Sequence, residues 1–373
     1  MKVIHFVNLS GIGGVQTAFI SYYDYLRQEG LPLERVYGTR EIDKEYYDVE
    51  NYNVLRFNAL NWFMFFYFIL SRKYIIHFHN GLVSKKINLL LKVIMFPSNV
   101  VFHEHGMAWS ATNKNIFKSN ARHADKIIAN SNACKIILNS HFGILKEKIV
   151  VIYYGFENVH IVENKPNIKF TVGFIGRFDA IKGLHILIEA SKNIPRALVD
   201  FKIAGDGPLK EYFLNKSQGV KNVSWIGRVS NPIEFISSLD VLVIPSIREP
   251  LGIIAIEAGL CGTPVIAADV DGLPEVVELD CGTLLKPLNS LNEKLFNLTG
   301  EIVPSVVVNP TTLRLEKPRE IDPEDLSRSI LEIMENYAAA KKKSVTLNKH
   351  VVKTFTKKNY YDAVRLVYSS LIV

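Results

Sequence analysis

Two carboxylates bracket the segment Glu249-Pro250-Leu251-Gly252-Ile253-Ile254-Ala255-Ile256-Glu257, and the seven residues between them carry no charge. Glu257 stands in an apolar run, Ile253 to Leu260, that otherwise reads as a buried helix. A carboxylate there is costly unless it is paired or hydrogen-bonded. Either a capping contact or a bound ligand must supply the partner; a ribose diol, with two hydroxyl donors, is one such ligand. Leu251, Gly252 and Ile253 open the helix directly after Glu249. Their N–H groups, aided by the helix dipole, suit a phosphate, and Gly252 removes a side chain where a ligand must come close.

Other segments offer related chemistry. Gly176-Arg177-Phe178-Asp179-Ala180-Ile181-Lys182-Gly183 follows an apolar strand and leads into a helix. Arg177, a planar fork, and Lys182, a point charge, are placed to neutralise a diphosphate; the alternative is two solvated cations. Ser10-Gly11-Ile12-Gly13-Gly14 also follows a strand and opens a helix. Gly13 and Gly14 let a backbone approach an anion, although a tight turn explains the same glycines. The full G-x-G-x-x-G spacing is missing, which argues against a hydride-transfer dehydrogenase. Asp269-Val270-Asp271 spells D-x-D, a pattern that can hold a divalent metal. With Arg177 and Lys182 supplying positive charge, no metal is expected there.

These residues need a scaffold, and the hydrophobic pattern describes one. In the first half, strands are expected at Val3–Asn8, Tyr74–His79, Val100–His103, Lys126–Ala129 and Ile149–Tyr153, with a helix over Val15–Glu29 that stops at Gly30. The second half restarts the alternation at Phe170–Gly176 and continues through Asp200–Ala204, Val223–Ile226, Val241–Ile244 and Pro264–Ala267, with a helix over Lys182–Ser191. Short apolar strands alternating with helices imply parallel βαβ units. The expectation is an α/β protein of two doubly wound, Rossmann-like domains facing a cleft, with ligand at the carboxyl ends of the strands. The join falls within Phe156–Lys169, giving domains 1–158 and 159–355. Residues 286–323 hold Pro287, Pro304, Pro310, Pro318 and Pro323 and read as an irregular or inserted segment. Helical spacing returns at Tyr360–Ile372, with Tyr361, Val364, Val367 and Leu371 on one side.

Charge is unevenly placed along the 373 residues. Residues 1–160 carry 18 Lys and Arg against 12 Asp and Glu, while residues 161–373 carry 26 against 25. A basic first half suits an anionic partner or is ordinary solubilising charge; no nucleic-acid motif accompanies it. The uncharged aromatic stretch 57–71 is shorter than the roughly 20 residues of a membrane span. It reads as a core or interfacial helix. With Arg72-Lys73 after it, and Lys85-Lys86 ahead of the apolar stretch 87–96, it suits an anionic membrane surface. Cys134, Cys261 and Cys281 have no metal-like spacing and read as reduced thiols. Met1-Lys2 runs straight into the first strand without a signal-peptide pattern, so a cytoplasmic protein, peripheral on the inner membrane face, is expected.

Taken together, Gly13-Gly14, Gly176-Arg177 with Lys182-Gly183, Gly205-Asp206-Gly207-Pro208, Glu249 to Glu257, Gly262-Thr263-Pro264-Val265-Ile266 and Gly272-Leu273-Pro274-Glu275 resemble the GT-B-fold glycosyltransferases of family 4. These are retaining enzymes that use nucleotide sugars. The resemblance covers most of residues 1–280. It implies that Gly13 and Gly14 lie near the donor phosphates, that Arg177 and Lys182 neutralise the diphosphate, and that Glu257 holds the ribose. Glu249 would contact the transferred sugar, and Val229 would offer backbone contacts to the base. A histidine after a first-domain strand belongs near the sugar; His105, followed by Gly106, fits that pattern better than His103. His77 and His79 are left as structural. The tail, about 356–373, resembles a helix that returns to the first domain.

The implied reaction is same-face transfer to an acceptor hydroxyl, with charge on the departing diphosphate met by Arg177, Lys182 and the helix start at 251–253. The expected partners are a nucleotide sugar and a glycan or lipid-linked acceptor of cell-surface polysaccharide or lipopolysaccharide synthesis, with no cofactor. A sugar-nucleotide epimerase and a non-catalytic nucleotide-sugar-binding module are the rival readings.

Overall fold

The run Lys2–Val7 forms β1, whose residues after Lys2 are all buried, as strands covered on both faces require. In the computed structural model, residues 2–10, 13–32, 34–38, 54–56, 67–68, 73–93, 99–158 and 169–371 are described. They fall into two units, residues 1–157 with 355–373 and residues 158–354. Most of the aromatic stretch 57–71, Arg72 beside it, residues 94–96, Ile12, and most of the join at 156–169 lie outside the described residues.

The first unit is built on a seven-stranded sheet. β2 (Arg35–Gly38), β3 (Val54–Arg56), β4 (Tyr74–His79), β5 (Val100–Glu104), β6 (Lys126–Ala129) and β7 (Ile149–Val151) join β1 in the order β3-β2-β1-β4-β5-β6-β7, and every pairing is parallel. The order reverses between β1 and β4, which opens a crevice at their carboxyl ends. The helix Gly14–Gln28 covers one face. The C-terminal helix Lys357–Ser369 packs beside it, where Tyr22 meets the rings of Tyr360 and Tyr361 and Arg365 reaches Glu34 at 3.3 Å. Its buried residues are Tyr360, Val364, Val367 and Tyr368 rather than the set starting at Tyr361. That set follows the i, i+4, i+7, i+8 stripe of a helix lying on a sheet, with Tyr361 at its margin.

The second unit repeats the plan with six parallel strands. β8 (Phe170–Arg177), β9 (Val199–Asp206), β10 (Val223–Gly227), β11 (Val241–Ile244), β12 (Val265–Ala268) and β13 (Thr283–Leu285) lie in the order β10-β9-β8-β11-β12-β13. The reversal here falls between β8 and β11. Val-Leu-Val-Ile of β11 is wholly buried, the continuous apolar pattern of a central parallel strand. The helix Ile253–Cys261 follows β11.

Residues 286–323 are more ordered than their prolines suggest. β14 (Asn289–Ser290) pairs antiparallel with β17 (Arg319–Glu320), and β15 (Val307–Asn309) with β16 (Arg314–Glu316). The helix Glu293–Thr299 lies between the two ribbons' first strands. Strands this short carry no periodicity a sequence can reveal. Among the described residues no helix is long and apolar enough to cross a membrane.

Candidate functional site

In the second unit, the carboxyl ends of β8 and β11 bring together residues about 70 positions apart in sequence. Lys182 Nζ lies 2.6 Å from Glu249 Oε2, and Ser246 Oγ donates to the same oxygen at 3.4 Å. Arg177, at the end of β8, places Nε 2.6 Å from Asp179 Oδ2 and a terminal nitrogen 3.7 Å from Glu301 Oε1. The other oxygen of Asp179 accepts from the backbone N–H of Lys182 at 3.1 Å, capping the turn that carries the lysine. Both expected diphosphate cations are therefore present and already held by carboxylates. Burial and the neighbouring Asp179 carboxylate push the Glu301 carboxyl up, while Ala180 N–H, Arg177 and Arg248 oppose that rise.

Glu249 is fixed by its backbone as well as by its side chain. Its N–H donates to Asp271 Oδ2 at 3.1 Å, and its carbonyl accepts from Gly272 N–H at 3.1 Å. Asp271 Oδ1 accepts from Val308 N–H at 2.7 Å. Asp271 is buried and holds a left-handed φ of 48°. Its two oxygens thus clamp the Glu249 loop to β15, and this half of the D-x-D is spent on backbone donors.

The helix that starts after Glu249 has an open N-terminus. Gly252 caps it with φ 92°, and no side chain supplies a cap. Among the described residues, the N–H groups of Leu251, Gly252, Ile253 and Ile254 donate to no acceptor. A Cβ on Gly252 would come within 2.6 Å of Leu273 Cδ2 and push that side-chain end aside, while the φ of 92° favours glycine in its own right. Glu257 follows one turn later, half-buried, with no hydrogen-bond or ion-pair partner among the described residues. Burial pushes its carboxyl up to about 7. Val229 sits half-buried after β10, beside the exposed Arg228, which reaches Asp206 at 3.7 Å.

In the first unit, Gly13 caps the helix Gly14–Gln28 in extended conformation, and Gly14 is exposed at its first turn. Gln16 ties the preceding loop down by donating to the carbonyls of Asn8 and Ser10 at 2.9 and 3.2 Å. His105 follows β5, half-buried, and neither ring nitrogen is free. Nε2 lies 3.0 Å from His79 Nδ1, and Nδ1 lies 2.6 Å from the Tyr154 hydroxyl. The contacts continue from His79 Nε2 to His5 Nδ1 at 3.1 Å, and from His5 Nε2 to Glu34 Oε2 at 2.6 Å. Burial lowers the basicity of His77, His79 and His103, and brings that of His105 down to about 3.

Sequence reasoning gave no role to Asp179, Glu301 or Ser246, and weighed Asp271 only as half of a D-x-D metal pattern. The Asp179-x-x-Lys182 spacing is a capping signal and was available. Glu301 and Asp271 reach the site only through the fold. His77 and His79, set aside as structural, belong to the same buried layer as His105.

Comparison with known proteins extends this picture. A family profile for Glycosyltransferase Family 4 matches residues 12–157, and one for glycosyl transferases group 1 matches residues 169–299. An uncharacterized glycosyltransferase of Methanocaldococcus jannaschii is 33% identical over 236 residues, covering 60% of this chain and 65% of that protein. The capsular polysaccharide biosynthesis glycosyltransferase CapM of Staphylococcus aureus is 31% identical over 201 residues, covering 47% of this chain and 53% of CapM. The chain spans just under two thirds of the length of the first of these relatives. Anabaena HepE, solved in complex with UDP and glucose, superposes with a TM-score of 0.75 at 19% identity, over 99% of this chain and 100% of HepE. HepE with UDP-glucose gives 0.74 at the same identity. Likeness at that identity shows a shared fold.

Proposed function

Because the chain belongs to the GT-B glycosyltransferases of family 4, we propose that it transfers a sugar from a nucleoside diphosphate sugar to an acceptor hydroxyl, with retention at the anomeric carbon. The observation that carries this reading is the grouping at the β8–β11 switch point: the Lys182–Glu249 pair, the uncapped helix start at 251–254, and the unpartnered Glu257. Cation, anion-binding N–H groups and diol acceptor follow one another from the Lys182–Glu249 contact along the helix. That is the order in which a nucleotide sugar presents diphosphate and ribose.

In this reading the diphosphate takes up Lys182, Arg177 and the N–H groups of 251–253, and Gly13 and Gly14 lie near its phosphates. Glu249, released from Lys182, accepts from hydroxyls of the transferred sugar. Glu257 accepts from the ribose diol, and Val229 meets the base through its backbone. His105 is the first unit's residue assigned to the sugar. The bond from the anomeric carbon to the diphosphate breaks, and the acceptor oxygen bonds on the same face. The acceptor's proton goes to the departing phosphate oxygen. No metal is needed on the diphosphate, because fixed cations and dipoles meet the charge that develops there.

The acceptor is a lipid-linked glycan of cell-surface polysaccharide synthesis, with the basic first unit against the inner face of an anionic membrane. The capsular relative and the charge asymmetry support this. The deciding experiment is a turnover screen over a panel of nucleotide sugars, beginning with UDP-glucose because HepE binds it. One donor should release nucleoside diphosphate slowly to water and faster with acceptor, with the product's anomeric configuration retained by NMR. Interconversion of the sugar without release of diphosphate would instead mark an epimerase.

A further inference from the structure

Four histidines line one face of three adjacent strands in the first unit, with His105 just beyond β5. His5 lies opposite His77 in the β1–β4 pairing, and His79 opposite His103 in the β4–β5 pairing. Side chains two apart on a strand share a face, so His77 with His79 and His103 with His105 complete the layer. His103 is the anomaly within it. It is fully buried, and among the described residues neither ring nitrogen has a hydrogen-bond partner. Leaving buried polar atoms unsatisfied is unfavourable, and such groups call for a water, an ion or a functional reason.

We propose that His79, His103 and His105 form a binding site for one divalent transition-metal ion of the zinc type. One nitrogen from each of the three lies within 4.8 Å of the others. The His79 Nδ1 to His105 Nε2 separation of 3.0 Å is close to what two nitrogens on one tetrahedral ion require. His103 stacks on His105 with ring centres 4.0 Å apart, so ligation turns the His103 ring until one nitrogen points between the other two. Its unpartnered nitrogens leave no hydrogen bond to break in that turn.

The surroundings resemble the outer shell of a metal site. His79 contacts His5 through its other nitrogen, and His5 contacts the Glu34 carboxylate, a carboxylate–histidine relay pointing at the ligand. The other nitrogen of His105 faces the Tyr154 hydroxyl, which accepts from Asn130 Nδ2. On ligation the proton of His105 resides on Nδ1 and is donated to Tyr154. In the alternative trio His5, His77 and His79, His5 is held by Glu34 and His77 by Tyr368, whereas both nitrogens of His103 are without a partner among the described residues. Three imidazoles without a carboxylate select Zn²⁺, Co²⁺, Ni²⁺ or Cu²⁺ over Mg²⁺ and Ca²⁺. Three protein ligands leave a fourth position open.

The site includes His105, the residue assigned above to the transferred sugar, so it is tested by metal binding itself, without turnover. Untagged chain, stripped with chelator, is titrated with Co²⁺ and Zn²⁺, and metal content is measured after gel filtration. One ion retained per chain, with the intense visible absorption of tetrahedral Co²⁺ bleached by Zn²⁺, is the expected result. His103→Phe keeps ring volume and should weaken binding by more than the roughly 10–100-fold that losing an outer partner costs, while Glu34→Gln should fall within that range. His141→Ala, outside the cluster, should leave binding unchanged. Wild-type chain that retains no ion overturns the proposal without any variant, since a buried water would then satisfy His103. Binding that survives in folded His103→Phe also overturns it.

Discussion

Glu257→Gln isolates the cost and the use of one buried carboxylate. The Glu257 carboxyl rises from an ordinary 4.5 to about 7, and burial is the cause. At 1.36 kcal/mol per unit, that rise corresponds to at most about 3 kcal/mol, lessened by the water that reaches a half-buried side chain. A raised carboxyl means that the folded state holds its proton more tightly than the unfolded state. The associated stability is present at low pH and is lost as pH climbs from about 4.5 to about 7. The substituted amide cannot ionise, so the variant should gain on wild type across that window, by about 1–3 kcal/mol at alkaline pH. Urea denaturation of both proteins at about pH 5 and about pH 8.5 measures the difference.

Ligand binding should show the opposite preference. A ribose diol donates to the ionised carboxylate, so binding a nucleotide sugar expels the Glu257 proton. Wild-type affinity should fall by roughly tenfold from about pH 8 to about pH 6. Glu257→Gln should lose that dependence and bind about 10–100-fold more weakly at pH 8, the worth of one or two charge-assisted hydrogen bonds. Isothermal titration in buffers of different ionisation enthalpy counts the proton released. Parallel stability curves for the two proteins, together with equal affinities, would refute both the buried charge and the ribose assignment.

Three further substitutions probe the rest of the loop. Arg177→Ala should lower donor turnover by about 10²–10³ with little effect on folding, because the side chain is largely exposed; unchanged turnover in a hydrolysis assay would remove it from the diphosphate site. Asp271→Asn replaces one of two backbone acceptors with a donor and should cost about 1–3 kcal/mol. It should lower kcat more than it raises the donor KM, since it loosens Glu249 while leaving the N–H groups of 251–254 in place. Gly252→Ala puts a Cβ against Leu273 at φ 92° and should destabilise the chain by about 1–3 kcal/mol, read as a lower urea midpoint.

Much of the fold is legible in the chain because its strands are short, apolar and punctuated by glycine. Tyr74–His79, Lys126–Ala129 and Val241–Ile244 have the ends their hydrophobic runs suggest. β2, β3 and β13 escape that reading. They are brief, lie toward the sheet margins, and carry too few residues for a period. The two-residue strands Asn289–Ser290 and Arg319–Glu320 exist only as each other's partners.

The sequence alone determined which side chains are costly where they stand. Glu257 among isoleucines, Gly252 at a helix start, and cations after a strand are local facts, and local physical chemistry reads them. The tertiary structure decided which groups meet. Glu301 reaches Arg177 across more than a hundred residues, Asp271 holds Glu249 to β15, and four histidines from β1, β4 and β5 share one face with His105 just beyond β5. Strand order and register set those meetings. They follow from the packing of the whole sheet, which no local spacing along the chain encodes.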